Sequence, residues 1–304
     1  MSKKRDYPAM VRKMIRGSDV VVEVIDGRFP SLSRAKKYEN MVKRAKGKTL
    51  IIAMNKVDLV PRQVVNQWKR IFMDEGISVI ATSARERLST NVLKKAIIRS
   101  VKGEIFFITS CFIGLPNTGK SSLINILKGR SSAPVAPIPG FTKALQVLRI
   151  TTRLRIFDTP GILPSNLSLT DKLLLGTIRP EQLPDTLRAS WALVNRIDTI
   201  KPNAIKEIYG IDYETPVEFV EKFAEKRNKR KKGGELDLDT AATIFLSEHI
   251  NKGKIPVWED PNEYLRKKEE REEQEREEQK REEQKREEQK REEQKREKEG
   301  NLSF

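Results

Sequence analysis

Eight consecutive residues, Gly114-Leu-Pro-Asn-Thr-Gly-Lys120-Ser121, carry the most specific chemistry in the chain. They match G-x-x-x-x-G-K-[ST], a spacing that lets successive backbone N–H groups curve around a row of phosphates. Gly114 and Gly119 permit the turn, with Leu115, Pro116, Asn117 and Thr118 between them. Lys120 reaches the β- and γ-phosphates, Ser121 offers a hydroxyl to Mg²⁺, and Ser122 follows on the same helical turn. About 40 residues further on, an apolar run leads into Asp158-Thr-Pro-Gly161. That carboxylate can hold Mg²⁺ through water, and the glycine N–H can sense a γ-phosphate.

A base must also be read. Guanine presents N1–H and an exocyclic amine as a donor pair that adenine lacks, so selecting it calls for a carboxylate. Asn55-Lys56-Val57-Asp58, at the end of an apolar run, meets that need. In this reading Asp58 accepts from the base, Asn55 binds the base and braces neighbouring loops, and Lys56 lies against the nucleotide. Ser83-Ala84-Arg85, at the end of the next apolar run, is placed to give a backbone N–H to guanine O6. Each motif alone is a plausible loop cap; their conjunction with the phosphate loop predicts a guanine nucleotide site.

The elements that must hold these loops follow from periodicity. Short β-branched or aromatic runs at 19–26, 49–55, 77–82 and 105–113 read as strands, alternating with helical patterns at 7–17, 33–46, 62–75 and 90–101. This is the pattern of a parallel sheet covered on both faces, giving an α/β fold. Two more strands, 145–150 and 154–157, bracket a polar turn and read as an antiparallel pair. From 171 to 255 the periodicity is helical, interrupted by Pro and Gly stops and by the basic run from Lys226 to Lys232.

From Arg266 onward the pentad Arg-Glu-Glu-Gln-Lys recurs with no aliphatic or aromatic side chain through residue 299, so no coiled-coil seam can form. Glu277 and Arg281, or Glu282 and Arg286, stand four apart and support a solvated helix, a charged rod of about 50 Å at ~1.5 Å per residue. That stretch holds 14 Lys or Arg against 15 Glu, so the formal +17 of this 304-residue chain lies on the part before it. Such a surplus predicts a polyanionic partner, nucleic acid or ribonucleoprotein. The single Cys111 excludes an intramolecular disulfide and a cysteine zinc cluster, and fits a reducing compartment. His249 is the one histidine, no run approaches a membrane span, and Met1-Ser-Lys-Lys-Arg is not followed by an apolar signal region.

With these motifs in hand, the chain resembles the circularly permuted GTPases of the YlqF/YawG, RbgA-like ribosome-assembly family, relatives of the translation-factor-like Ras-fold GTPases. The usual order is P-loop, switch I, DxxG, NKxD, SA-x; here NKxD and SA-x come first. Asp26-Gly27-Arg28 resembles the family's D-A-R element with Gly for Ala, and Pro139-Gly-Phe-Thr-Lys143 resembles its switch I. The resemblance implies a Ras-like P-loop GTPase domain in permuted order over residues 1–165. It further implies a small all-α, RNA-binding domain over 166–262, with Lys226, Arg227, Lys229, Arg230, Lys231 and Lys232 as RNA contacts, and a charged helical or disordered tail over 263–304. Thr142 becomes the switch threonine for Mg²⁺ and the γ-phosphate.

Where Ras-like enzymes place a water-orienting Gln, this chain has Ile162. Relatives with that change use a potassium ion held partly by a P-loop Asn, here Asn117. The N-terminal His of some members is absent from Tyr7-Pro-Ala-Met10, so a His-dependent mechanism does not carry over. The resemblance implies slow intrinsic GTP hydrolysis, accelerated by a partner, in a cytoplasmic, monomeric, membrane-free switch. Its expected ligands are GTP or GDP, Mg²⁺ and K⁺, with Lys120, Thr142, Asn117 and Gly161 nearest the chemistry and Ser121, Thr142, Asp158 and Asn117 as cation ligands. Ribosomal RNA or the large ribosomal subunit is the expected partner, and a GTP-dependent RNA-binding or signalling switch not tied to the ribosome is the alternative.

Overall fold

The computed structural model describes residues 7–101, 103, 106–129, 147–159, 161–162 and 167–300. The predicted switch I segment, Thr142 included, therefore lies outside the described residues, as does the expected boundary at 165/166. The apolar runs become strands β1 (Val20–Asp26), β2 (Thr49–Asn55), β3 (Ser78–Ala81), β4 (Ile108–Ile113), β5 (Val147–Arg149) and β6 (Leu154–Asp158). They form one sheet in the order β3-β2-β1-β4-β6-β5, parallel except for the antiparallel β5–β6 pair. Because the other pairings are parallel, the C-terminal ends of those strands share one edge. Asp26 stands beside Asn55 and Phe112 beside Asp158, so the loops carrying the sequence motifs leave the sheet together.

Alternation along each strand sorts side chains to two faces. Val20, Val22, Val24, Phe112, Leu154 and Ile156 meet Leu93 and Ile97 of α4 (Thr90–Arg99) and Leu123, Ile124 and Leu127 of α5 (Lys120–Lys128). Val21, Cys111, Ile113 and Phe157 meet Val11, Met14 and Ile15 of α1 (Tyr7–Arg16) and Tyr38 and Val42 of α2 (Lys36–Arg44). In α3 (Arg62–Asp74), Trp68 and Phe72 are buried with ring centroids 5.9 Å apart. The buried Arg34 guanidinium lies 5.0 Å from the Phe72 ring and pairs with Glu39 and Glu75.

Two expected boundaries move for physical reasons. The run from 105 begins its strand only at Ile108: Phe106 is 92% exposed, and Phe107 lies under the Arg155 guanidinium rather than in the core. The helix expected from 33 starts at Lys36, because Ser33 turns back to donate to the Phe29 carbonyl and accepts from the Asp26 N–H. Those bonds hold residues 26–33 as a loop.

After residue 167 come α6 (Leu169–Leu174), α7 (Thr186–Ile200), α8 (Ala204–Tyr209), α9 (Pro216–Lys226) and α10 (Leu238–Lys252). Their starts are written locally. Ser168, Asp185, Thr215 and Asp237 each accept a backbone N–H from the first turn, and Pro216 supplies the fixed φ of a first helical residue. Tyr209, Phe219, Phe223 and Phe245 interlock with centroids 5.0–6.1 Å apart, every pair edge-on or tilted. Such pairs add ~0.5–1.5 kcal/mol each beyond the area they bury.

Two residues from before this region, Phe29 and the P-loop's Leu115, are buried in the same helical core. Residues Met1–Glu259 accordingly form one compact unit. Asp260–Phe304 form the second, dominated by α11 (Pro261–Gly300), a single 40-residue helix. Its length would be about 60 Å at ~1.5 Å per residue. No helix among the described residues is long and apolar enough to cross a membrane.

Candidate nucleotide-binding site

The phosphate loop joins β4 to α5, and close packing dictates its glycines. Gly114 has φ +149°, and a Cβ there would lie 2.3 Å from the Val24 carbonyl oxygen. Gly119 has φ +92°, and a Cβ would lie 2.1 Å from Asn55 Nδ2. No side chain fits either position. Lys120 opens α5 with its side chain largely buried, while Ser121 and Ser122 are exposed on the same first turn. Thr118 Oγ1 donates to the Leu115 carbonyl at 3.0 Å, closing the loop from inside.

Asp158 ends β6 across from this loop. Its Oδ1 is buried without a hydrogen-bond partner. Burial raises its pKa while the Lys120 ammonium opposes the rise; burial likewise lowers the pKa of Lys120 while Asp158 opposes that. The two charges thus favour one another. Gly161 sits against the P-loop so closely that a Cβ would lie 2.8 Å from Pro116 Cγ, and Ile162 N–H donates to the Gly114 carbonyl at 3.0 Å. The Ile162 side chain packs on the α1–α2 side of the sheet, with Met10, Met41 and Leu50.

One buried side chain ties the base-reading loops to the phosphate loop. Asn55 Nδ2 donates to the Thr118 carbonyl at 2.8 Å, and Asn55 Oδ1 accepts from the Ala84 N–H at 3.0 Å. Asn55 is 1% exposed, so of its two expected roles the structure displays bracing. Lys56 adopts a left-handed backbone, φ 63°, and turns its ammonium onto Asp26 Oδ2 at 2.8 Å. Asp58 follows in the one-turn 3₁₀ helix Val57–Leu59. Ser83 Oγ accepts from the Glu86 N–H at 3.1 Å and shapes the turn that presents Ala84 and Arg85.

These loops enclose a cleft of ≈ 420 Å³ lined by Asn55, Lys56, Asp58, Ala84, Arg85, Gly119 and Ser122, together with Arg28, Leu59, Ile250 and Gly253. The sequence motifs account for the first group. Of the second, only Arg28 had a local signal, in Asp26-Gly27-Arg28. Its Nε and Nη2 bind the two oxygens of Asp26 at 3.1 and 2.8 Å. Burial opposes ionisation of Asp26, yet Arg28 and Lys56 together hold its carboxyl well below the usual carboxylate range.

Asn117 belongs to the phosphate loop, and its Nδ2 donates to the carbonyl of Gly176, just after α6. Since a carbonyl only accepts, the Oδ1 of Asn117 faces away from that contact. Of the basic run, Lys226 caps the carbonyls of Tyr209 and Gly210, Arg227 pairs with Glu248 at 2.7 Å, and Arg230 bonds the Gly234 carbonyl at 2.6 Å. Lys231 and Lys232 are exposed on the turn that follows.

Comparison with known proteins agrees with this geometry. A family profile described as "50S ribosome-binding GTPase" matches residues 109–229, and one described as "RsgA GTPase" matches residues 20–168. A GTP-binding protein of Methanocaldococcus jannaschii is 35% identical over 260 residues, covering 83% of this chain and 67% of the relative. Nucleolar GTP-binding protein 2 of Neurospora crassa is 34% identical over 259 residues, covering 82% of this chain and 40% of the relative. The chain thus spans about two thirds of the first protein and less than half of the second. Among solved structures, GNP-bound YlqF from T. maritima superposes with a TM-score of 0.60 at 28% identity, covering 84% of this chain and 99% of that one. The GDP-bound form gives 0.59 at the same identity, covering 83% and 97%. With its base-reading loops ahead of its phosphate loop and both gathered on one sheet edge, this chain belongs to the YlqF-like family of circularly permuted P-loop GTPases.

Proposed function

We propose that the protein is a GTP-hydrolysing switch that binds ribosomal RNA or a pre-ribosomal particle and assists assembly of the large ribosomal subunit. The observation that carries the nucleotide part is Asn55, whose two polar atoms join the phosphate loop to the Ala84 loop around one cleft. Within that frame Asp58 accepts the donor pair of guanine and the Ala84–Arg85 backbone meets O6. Lys120 and the backbone N–H groups of the phosphate loop, Pro116 excepted, receive the phosphates. Water attacks the γ-phosphorus, the bond to the β–γ bridging oxygen breaks with its electrons passing to GDP, and the water's protons leave to phosphate and solvent. The chain's part is to place charge where the bridging oxygen becomes negative.

The donor set fits a hard cation: the exposed Ser121 hydroxyl and the orphaned Asp158 Oδ1, joined by Thr142 in this reading. Magnesium bound there supplies neutralisation of the β- and γ-oxygens. Ile162 packs among apolar side chains and has no group to orient water, which supports a potassium site using the Asn117 Oδ1. Hydrolysis on this reading is slow until a partner completes the site.

The ribosomal part rests on the names of the matched profile and of the nucleolar relative, with the basic charge of the body. Those names favour action where ribosomes are assembled over a purely cytoplasmic location. Within the basic run, Lys231 and Lys232 are the better placed phosphate contacts, since Lys226 and Arg227 serve internal bonds. Contacts of that kind give affinity without sequence reading.

Two linked measurements test this reading. Co-sedimentation with large subunits is expected with GTP and lost with GDP; no co-sedimentation with either nucleotide would instead indicate a switch unconnected to the ribosome. GTP turnover is expected to rise in potassium over sodium and again with added large subunits, the potassium effect vanishing in Asn117→Ala.

A further inference from the structure

The base-side cleft has a wall that no nucleotide motif supplies. Ile250 and Gly253, at the C-terminal end of α10, line it together with the Asp58 turn. Gly253 caps α10 in the left-handed conformation, φ +57°, and a Cβ there would lie 3.1 Å from Leu59 Cδ1 and 3.5 Å from Arg28 Nη1. Leu59 follows Asp58 directly, so the end of α10 rests on the turn that presents the base-reading carboxylate. Ile250 also reaches the phosphate side: a Cβ on Gly176 would lie 3.3 Å from its Cγ2 and from its carbonyl oxygen, and Gly176 is the residue that receives Asn117.

Two polar atoms at the seam between α10 and the loop after β1 make no hydrogen bond among the described residues. Arg28 Nη1, a donor, and His249 Nδ1, an acceptor once Nε2 donates to the Leu174 carbonyl at 3.1 Å, are both buried and without partners. Opening the seam there breaks no bond of theirs and hands each a water. A few residues on, the contact is sealed. The N–H of Glu259 donates to the Arg28 carbonyl at 2.7 Å, its carboxylate takes the Ser31 N–H at 2.9 Å and the Ser31 hydroxyl, and its carbonyl takes Trp68 Nε1 at 3.3 Å. An anchored strap therefore follows a helix end beside two unpartnered polar atoms.

We propose that Ile250 and Gly253 are the outer wall of the guanine pocket, so that a bound guanine nucleotide leaves only when the end of α10 lifts from the Asp58–Leu59 turn. This rests on the cleft being the guanine site. Its consequence is that whatever grips the helical region also sets the rate of nucleotide release. Ile250 and Gly253 are positioning residues: they touch the pocket and not the reacting phosphate.

The experiment is a reversible lock. Leu59→Cys/Gly253→Cys is made in the full chain, whose native Cys111 is buried, and release of mant-GDP is followed after adding excess GDP, with the pair oxidised and then reduced. Oxidation is expected to slow release by about tenfold or more relative to the same protein reduced. A second variant, Gly253→Phe, wedges the seam and is expected to speed release about tenfold relative to the unaltered chain. Equal release with the disulfide confirmed by mass spectrometry overturns the proposal, as does a folded wedge variant with unchanged release. Should the pair not oxidise, release from the folded wedge variant decides the proposal by itself. If the unaltered, folded chain binds no mant-GDP, the guanine reading fails first and the wall with it.

Discussion

Two sets of charged pairs show how far the surroundings decide what an ion pair does. Around Asp26, Arg28 and Lys56 approach one carboxylate at 2.8 Å each, with Asp26 and Arg28 only 1% and 3% exposed. Along α11, Glu277 meets Arg281, and Glu282 meets Arg286, at 3.9 Å, all of them more than 60% exposed. The first set fixes the loop after β1 against the Lys56 turn and so shapes the base cleft. The second stiffens a helix whose stretch from Arg266 onward has no apolar side chain. Desolvation is the difference: a charge already removed from water needs its partner, whereas an exposed one falls back on solvent.

The largest test of this contrast is Asp26→Ala, which leaves Arg28 and Lys56 charged beside an empty place. Unfolding in urea is expected to show a loss of about 3–5 kcal/mol. A loss under ~1 kcal/mol would mean the cluster is hydrated and the contrast false.

The same cluster presses on His249. Burial, then the Arg28 charge, pushes its pKa down to about 4. The unfolded chain therefore takes up a proton near pH 6.5 that the folded one refuses until about pH 4. The corresponding stability is whole above about pH 6.5 and declines by about 3 kcal/mol as pH falls to 4. His249→Gln should flatten that slope, measured as urea midpoints across pH 4–7; an unchanged slope would assign it to other groups.

Smaller still is Asn55→Ala, which orphans the Thr118 carbonyl and the Ala84 N–H. The expected loss is about 1–3 kcal/mol, appearing as weaker mant-GDP binding together with a lower urea midpoint. Binding unaltered to within twofold would show the two loops holding their places unaided.

At the other end of the scale, Glu277→Gln with Glu282→Gln should cost α11 only ~0.2–0.5 kcal/mol per pair, read as helical circular dichroism on heating. Molar salt should reproduce much of that change and leave the transition of residues 7–259 nearly untouched, since exposed pairs are screened and buried ones are not. Equal salt sensitivity of both transitions would erase the distinction.

How much of this was legible beforehand depended on range. The phosphate loop, the Asn55–Asp58 turn and Asp158–Gly161 announce themselves because a phosphate cradle needs contiguous backbone N–H groups and because each motif sits at a strand end. The near-continuous apolar runs of β1 and β4 likewise show, because strands of a sheet covered on both faces bury both sides. The end effects did not: the hydrophobicity of Phe106 and Phe107 carried no sign that only Ile108 onward would pair, and Ser33 gave no hint of closing a loop on Phe29. The cation-rich run from 226 reads as six equal candidates. Tertiary contacts with Tyr209, Gly210 and Glu248 engage two of them internally.

The amino-acid sequence by itself carried the motifs of a phosphate loop and a guanine-reading turn, showed that their order is permuted, and left the tail without an apolar seam, because these are properties of neighbours along the chain. Only the tertiary structure decided that Leu115 and Phe29 are buried in the helical core, that Asn117 is held by Gly176, and that Ile250 and Gly253 wall the base cleft. Those contacts join residues more than 50 positions apart, where side-chain shape and burial select the partner and no local pattern records the choice.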